Sequence, residues 1–183
     1  CGASATWTLY NDGQMVISGS GAMDNYRTEK DQPWAAYRLK IKEIVIGKDI
    51  TSVGQYAFGF AHYVEKITFE EGSICEEIGT YAFYNCTSIT KIKIPDSVTK
   101  IGSFALGECN GLREITLPFT GESRYSTGYQ SHFGYIFGYT TRAAYSEATK
   151  SRQYVPIYVG NSTTNAGYFA SYMFTLTKDV LEE

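Results

Sequence analysis

The sequence lacks the features that mark several common classes of protein. No run of about 18 or more apolar residues occurs among its 183 residues, so no segment has the apolar length that a transmembrane helix needs. The formal net charge is −3 and lysine and arginine are not clustered, whereas binding to phosphates needs a concentrated basic face. We therefore predict neither a membrane-spanning segment nor a nucleic-acid partner.

Sequence signatures of catalysis and of metal binding are also missing. The chain holds no G-x-S-x-G segment and no C-x-x-C pair, and its two histidines, His62 and His132, are far apart. Adjacent glutamates at 70–71 and 76–77 flank a bend, where solvated charge explains them better than a pair of glycosidase carboxylates. We predict that the protein is not an enzyme, has no catalytic residue and uses no cofactor or metal ion.

What the sequence does have is repetition. An I-x-I pair, then an Ile-Gly or Val-Gly step and an Ala-Phe or Ala-Leu pair, returns three times with a period of 23 to 25 residues. The copies begin at Ile44, Ile67 and Ile92, and Ile115 opens a fourth. A fixed period of this length is typical of stacked repeats, in which one unit cannot bury its apolar face alone. We predict a short strand at each I-x-I pair and a glycine at each step that adopts a conformation a Cβ would resist.

Two departures inside the repeats allow further predictions. The third copy has Leu106 in place of the phenylalanine and Phe104 in place of a tyrosine, which we interpret as an exchange of volume between adjacent core positions. Cys86 and Cys109 occupy one slot that the first copy fills with Ala61. Although four cysteines could pair in three ways, a slot filled by Cys or Ala indicates buried free thiols.

Residues 1–40 precede the repeats, and we predict that they form a cap on the first repeat. Two alternating segments flank Asn11-Asp12-Gly13, a turn sequence that is typical of a β-hairpin. A short helix is expected from about Pro33 to Arg38, with Trp7 and Trp34 as packing anchors. Such a segment would cover the apolar end of the first repeat.

Residues 119–153 break the period with an aromatic insertion. Our preferred interpretation is that Phe133, Ile136 and Phe137 fill the core where the repeats are interrupted. Tyrosines in and beside this segment are candidates for contact with a protein or a sugar. They are Tyr125, Tyr129, Tyr135 and Tyr139.

The residues at both ends of the sequence indicate that it is part of a longer chain. It begins at Cys1-Gly2 instead of methionine, so we expect that a leader was removed or that the chain is a piece of a longer protein. Residues 154–183 read as a degenerate and truncated final repeat, in which 154–159 form a strand and 169–174 align with 53–58.

The second copy and the start of the third resemble a known family. The pattern Ile78-Gly79-x-x-Ala82-Phe83-x-x-Cys86-x-x-Ile89, followed by Ile92-x-Ile94-Pro95, is similar to the BspA-type (treponemal) leucine-rich repeat of bacterial surface proteins. The resemblance is strong over residues 41–118 and weaker elsewhere. It implies a secreted or cell-surface protein of a bacterium, with no catalytic residue to carry over, and some members act as adhesins.

Repetition and resemblance together predict a β-rich leucine-rich-repeat solenoid, a right-handed α/β-type superhelix with short strands and few helices, capped by the N-terminal hairpin. We predict non-catalytic recognition of a host or bacterial surface protein through the polar face of the strands. The candidate face comprises Lys42, Lys66, Thr68, Lys91, Lys93, Glu114 and Thr116. Two alternatives stay open: a carbohydrate-binding module that uses the tyrosines, and a structural spacer between other domains.

Overall fold

The computed structural model describes residues 1–127, 130, 133–137 and 173–176. The strands within these ranges are β1 (Ser4–Leu9), β2 (Gln14–Ala22), β3 (Glu43–Ile46), β4 (Ile50–Val53), β5 (Lys66–Phe69), β6 (Glu77–Ile78), β7 (Lys91–Lys93), β8 (Lys100–Ile101), β9 (Glu114–Leu117) and β10 (Met173–Leu176). Short 3-10 helices span Ala35–Lys40 and Phe133–Phe137. The described part is a strand-rich stack of repeats with few helices, and each I-x-I pair begins in a strand as predicted, although β7 ends at Lys93, one residue before Ile94.

The predicted hairpin is confirmed. Strands β1 and β2 pair antiparallel, with Trp7 opposite Ile17. The Gly13 N–H donates to the Tyr10 oxygen at 3.0 Å, and Gly13 has a φ of 94°, which glycine tolerates well. The long strand β2 then joins the repeats, because its first half pairs parallel with β3 and its last residues pair with β4.

Two series of parallel strands run across the repeats. We call the series that contains the I-x-I strands the first ladder, in which β2, β3 and β5 pair in turn and β7, β9 and β10 pair in turn. The second ladder contains β2, β4, β6 and β8. Where the strands are paired, residues at equivalent positions of successive repeats therefore lie side by side.

A column of stacked aromatic rings lies in the core. Phe58 and Phe83 are fully buried and stack with ring centroids 5.8 Å apart, and Trp34 stacks on Phe58 at 5.3 Å. Trp7 meets Trp34 edge to face at 5.9 Å, so both tryptophans pack as predicted. The short helix also exists, but it is a 3-10 helix that begins at Ala35, two residues later than expected.

A second column of aromatic rings lies at the side of the core. Tyr56, Tyr81 and Phe104 are only half-buried and stack at 4.7 and 4.9 Å. Our interpretation of Phe104 as a core residue was therefore wrong, although Leu106 is buried as expected. All three have a φ between 53° and 58°, a conformation that costs bulky residues about 1 kcal/mol or more and that stacking of the rings partly offsets.

The glycine of each Ile-Gly step is explained by close approach rather than by its backbone conformation. Neither Gly79 nor Gly102 has a positive φ. A Cβ on Gly79 would lie 2.6 Å from the backbone nitrogen of Gln55 in the preceding repeat, too close for any real contact. The prediction of a special conformation was wrong, and the position is glycine because adjacent repeats touch there.

The cysteines of the repeats are buried thiols, as predicted. The thiol of Cys86 donates to the Phe58 oxygen at 3.3 Å, and the thiol of Cys109 donates to the Phe83 oxygen at 3.1 Å. Burial raises the pKa of Cys86 to about 12 and raises that of Cys109 well above its ordinary value. Each thiol therefore stays protonated and links its own repeat to the preceding one.

The segments that follow Leu117 continue the stack. The Leu106 N–H donates to the Ile136 oxygen at 2.9 Å, and Ile136 and Phe137 are buried, as our interpretation of the insertion expected. The side chain of Phe133 and the strand expected at 154–159 lie outside the described residues. Strand β10 pairs parallel with β9 and places Phe174 opposite Ile115. The alignment of 169–174 with 53–58 was therefore wrong, because Phe174 occupies a strand position instead of the core position after the glycine step.

Candidate protein-binding face

A row of charged side chains crosses the solvent face of the first ladder. It consists of the residue that precedes the first isoleucine of each copy: Glu43, Lys66, Lys91 and Glu114. We call these four the charged row. The Lys66 Nζ lies 2.7 Å from the Glu43 Oε1, and the Lys91 Nζ lies 2.5 Å from the Glu114 Oε1. Strand register brings these partners together, since Glu43 is opposite Lys66 and Lys91 is opposite Glu114.

Hydrogen bonds hold Glu43 in place within the charged row. Besides Lys66, the Gln14 Nε2 donates to the Glu43 Oε2 at 3.1 Å. The bond from Lys66, followed by that from Gln14, lowers the pKa of Glu43 below its usual value, because both donors favour the carboxylate. The predicted binding face did not include Glu43, although its place directly before Ile44 was a usable signal.

A second row of side chains lies two residues further along the strands. Lys93 is exposed and stands opposite Thr116, which is half-buried, and Thr68 stands opposite Val45. Six of the seven residues predicted for the binding face thus lie on the described strands of the first ladder. Lys42 is exposed but precedes β3, so it belongs to neither row.

The first ladder is interrupted between the second and third copies. In the described strands, β5 is the last member of one sheet and β7 the first member of the next, with no paired register between them. A cleft of about 1320 Å³ lies here. Its walls include Lys66, Thr68, Phe69, Lys91, Lys93 and Pro95.

Two features of the sequence accompany this interruption. The isoleucine of the strand and that of the glycine step are eleven residues apart in the second copy, from Ile67 to Ile78, but nine apart in the third. The extra residues fall in the loop 70–73, which lines the cleft. Pro95 stands where the second copy has Glu70, whose N–H donates to the Ile46 oxygen at 2.9 Å, and a proline has no N–H to make that bond.

The predicted aromatic candidates are not brought together in the described part of the chain. Tyr125 is 88% exposed. Tyr135 packs against the core, and its hydroxyl donates to the Glu122 Oε1 at 3.3 Å. Burial, followed by the charge of Glu122, raises the pKa of Tyr135. Tyr129 and Tyr139 lie outside the described residues.

Within the ranges that the structure covers, no three His, Cys, Asp or Glu side chains gather closely enough to hold a metal ion. The helices of the described part are also too short or too polar to cross a bilayer.

Comparison with known proteins identifies the repeat. The model of the BspA type leucine rich repeat region matches residues 35–132 with six copies. A search of curated proteins finds no match.

Solved structures of other bacterial repeat proteins are similar to part of the chain. A leucine-rich repeat protein from Eubacterium ventriosum is 23% identical, with a TM-score of 0.46 over 62% of this chain and 42% of that protein. A leucine rich cell surface protein from Faecalibacterium prausnitzii is 22% identical, with a TM-score of 0.45 over 64% of this chain and 36% of that one. A T. pallidum leucine rich repeat protein is 18% identical, with a TM-score of 0.39 over 64% of this chain and 72% of that one.

The chain thus spans less than half the length of the first two of these structures. The family model, in contrast, covers more than half of the chain itself, from residue 35 to residue 132. It covers the strands β3 to β9 that carry the candidate face. The chain belongs to the BspA-type leucine-rich repeat family.

Proposed function

We propose that this chain is a non-catalytic recognition domain of a secreted or surface-anchored bacterial protein and that it binds a partner protein, in the manner of an adhesin, through the face of the first ladder. The observation that carries the proposal is the charged row, whose side chains are fixed by strand register and stand beside a cleft. Fixed charges of both signs suit a polar protein surface, since they set its orientation and reject partners of the wrong charge pattern.

The organisation that we propose for the chain supports this use. Residues 1–40 cap the repeats, 41–118 form the repeats of a right-handed solenoid, 119–153 are an insertion, and 154–183 are a final repeat. The pairing of β2 with β3 supports the capping role, because it covers the edge strand of the first copy. A capped stack with a rigid backbone presents its face without a large cost in conformational entropy on binding.

The experiment is a binding screen of the purified chain against host matrix proteins and bacterial surface proteins. Reversal of two charges, Lys91→Glu with Lys93→Glu, should weaken binding of the partner at least tenfold and leave the melting temperature nearly unchanged. Arg27→Glu with Lys30→Glu makes the same change of net charge in an exposed loop away from the sheet and is the matched control. Equal loss of binding in both variants, or no loss in either, would reject this face.

A carbohydrate-binding module is the second candidate, favoured by the exposed ring of Tyr125. A glycan array in the same screen separates the two proposals. Glycan binding that is lost on Tyr125→Ala but kept after the two lysine reversals would favour the carbohydrate module, and silence towards proteins and glycans would favour a spacer.

A further inference from the structure

We propose that a second binding site lies among residues 1–40 and that it takes a uronic acid unit of a glycan, a pyranose ring that carries a carboxylate. The site is the cleft between the hairpin turn and the 3-10 helix Ala35–Lys40. It shares no lining residue with the cleft between β5 and β7, so the inference goes beyond the proposed function and does not depend on it.

Three aromatic residues, Trp7, Tyr10 and Tyr37, line this cleft, which has a volume of about 430 Å³. Sites for small ligands typically measure roughly 300–1,000 Å³. The rings of Trp7 and Tyr37 have centroids 6.3 Å apart and are inclined at 46°, so neither ring fully covers the face of the other. Tyr10 is 53% exposed and Tyr37 is 46% exposed, so aromatic surface stays open to a ligand.

The exposed tyrosines contribute little to the packing of this end of the stack. That packing belongs to residues with no exposed surface, such as Met15, Trp34 and Ile41. Aromatic surface that is gathered in a concave place and left in water is a feature of binding sites, because a ligand gains free energy by covering it.

Hydrogen bonds fix the two walls of the cleft relative to each other. The Lys42 N–H donates to the Gly13 oxygen at 2.8 Å, which joins the hairpin turn to the residues that follow the helix. Gly13 permits this approach, because a Cβ there would lie 2.8 Å from the Lys40 oxygen. Trp7 is held by its contact with the buried ring of Trp34. The cleft is therefore formed before a ligand binds, and binding orders few additional groups.

A pyranose ring suits these walls. Its C–H groups carry a small positive charge and pack favourably on the electron-rich face of an aromatic ring. Its hydroxyl groups both donate and accept hydrogen bonds. The side-chain amide of Asn11, which also lines the cleft, offers both kinds of partner.

Lys40 decides the charge of the sugar. It is the only charged residue among the described residues that line the cleft, and its Nζ lies 5.8 Å from the centroid of the Tyr37 ring. The carboxylate of the nearby Asp12 accepts the Gln14 N–H at 3.0 Å within the turn. A carboxylate on the sugar can form a charge-assisted hydrogen bond with the ammonium group of Lys40.

The same charge argues against two other ligands of aromatic clefts. A cation such as a quaternary ammonium group is attracted by aromatic rings, but here the ammonium group of Lys40 would repel it. A proline-rich peptide also packs on aromatic rings, but it brings no anion for Lys40. An acidic sugar uses the rings, the amide and the ammonium group together.

The test is a titration of the full chain with a synthetic oligosaccharide that ends in glucuronic acid, followed by NMR. We expect shifts of the Trp7 indole N–H and of the backbone amides of 9–13 and 37–40. The methyl ester of the same sugar keeps the ring but loses the charge, so it should bind at least threefold more weakly.

Substitutions of exposed tyrosines locate the site. Tyr10→Ala and Tyr37→Ala should each reduce affinity for the acid at least tenfold, because each removes part of an aromatic wall. Tyr63→Ala should leave affinity unchanged and is the matched control, since Tyr63 is 57% exposed in the first copy. Melting curves show whether each variant folds. If Tyr37→Ala unfolds because it loses its contact with Trp7, Tyr10→Ala decides the question.

Substitutions of lysine test the carboxylate. Lys40→Gln should weaken binding of the acid at least threefold and leave binding of the methyl ester unchanged. Lys30→Gln, in the exposed loop before the helix, should change neither. Equal affinity for the acid and its ester, equal effects of the two lysine substitutions, or no binding of the acid would overturn the inference. Tighter binding of a sulfated sugar or of decaproline at the same residues would also overturn it.

These outcomes are separable from the fate of the proposed function. Lys91→Glu with Lys93→Glu should leave binding of the acidic sugar unchanged, and so should Tyr125→Ala. Tyr10→Ala should leave binding of a partner protein by the first ladder unchanged. Either site can therefore fail while the other stands.

Discussion

The junction between the first and second copies and the junction between the second and third are built from nearly the same residues, but only the first has a continuous ladder. At the first, β3 pairs with β5 over four residues, and Glu43 faces Lys66. At the second, Lys66 faces Lys91 by repeat alignment, and the strands are unpaired. Both junctions keep a glycine contact and one stacked pair of half-buried rings, Tyr56 on Tyr81 and Tyr81 on Phe104. We infer that these contacts fix the stacking of repeats, while surface charge and loop length govern pairing of the I-x-I strands.

Removal of a buried aromatic ring should cause the largest loss of unfolding free energy. Phe83→Ala deletes the buried ring that stacks on Phe58, and its loss should cost about 3–5 kcal/mol of unfolding free energy because a large cavity remains. Urea denaturation followed by circular dichroism measures the loss. Phe60→Ala, at a half-buried position of the neighbouring repeat, should cost clearly less. Equal losses would show that the buried column does not carry the stack.

A side-chain hydrogen bond crosses the open junction, which lies between the second and third copies. Its removal should cost more unfolding free energy than removal of a similar bond at the closed junction, between the first and second copies. The Ser97 Oγ donates to the Cys75 oxygen at 2.7 Å, whereas the Thr87 Oγ1 reaches the His62 oxygen at 3.3 Å. Ser97→Ala should destabilise the protein by about 0.5–1.5 kcal/mol. Thr87→Val should have a smaller effect in the same denaturation experiment, and the reverse order would contradict the prediction.

Exchange of the charges of Lys91 and Glu114 should favour pairing of β5 with β7 and so close the open junction. K91E together with E114K keeps the pair between β7 and β9 and places opposite charges across the cleft, a change of about 0.2–1 kcal/mol per cross-strand pair. Amide exchange at Ile67, Phe69 and Lys93 should therefore slow by up to about fivefold.

A matched set of variants makes the charge prediction sharper. E43K together with K66E should close the cleft in the same way, because it also gives opposite charges across it. All four substitutions combined restore like charges and should return exchange at these amides to the wild-type rate. Slow exchange in the fourfold variant would show that charge is not the cause of the gap.

The smallest expected effect concerns pH at the closed junction. The folded pKa of Glu43 lies below its ordinary value of 4.5, chiefly because Lys66 donates to it. Its contribution to stability is present above pH 4.5 and is lost as the pH falls through the folded pKa. Because the pair is exposed, that contribution is at most about 1 kcal/mol. Titration of the Glu43 carboxyl by NMR should give a higher midpoint in Lys66→Gln than in the wild type, and identical midpoints would count against the bond.

The repeat period predicted most of the fold, because regular burial leaves a clear trace in sequence. The strands, the hairpin turn, the buried thiols and the positions of Phe58 and Phe83 all followed from spacing and residue type. The reason for the glycines did not follow, since a single copy does not show how closely the backbone of its neighbour approaches. Strand β10 was also missed, although Phe174-Thr175-Leu176 repeats the pattern of Ile115-Thr116-Leu117.

The candidate face was predicted only in part, because it depends on pairing between copies. Counting charges near the strands selected Lys42, whereas register selects Glu43, one residue later. The gap between β5 and β7 was missed for the same reason. Its signals were the two extra residues before Ile78 and the lysines that precede Ile67 and Ile92, which acquire meaning only when the copies are laid side by side.

The buried cysteines provide a chemical reporter at each of the two junctions. The Cys86 thiol bonds across the closed junction and the Cys109 thiol bonds across the open one. An alkylating reagent needs a thiolate and free access, and the native stack supplies neither because both thiols are buried with raised pKa values. The rate at which each cysteine is modified therefore measures how often its own junction opens, without any label or added probe group. Comparison of the two rates within one molecule would time the separation of neighbouring repeats and show which junction parts first.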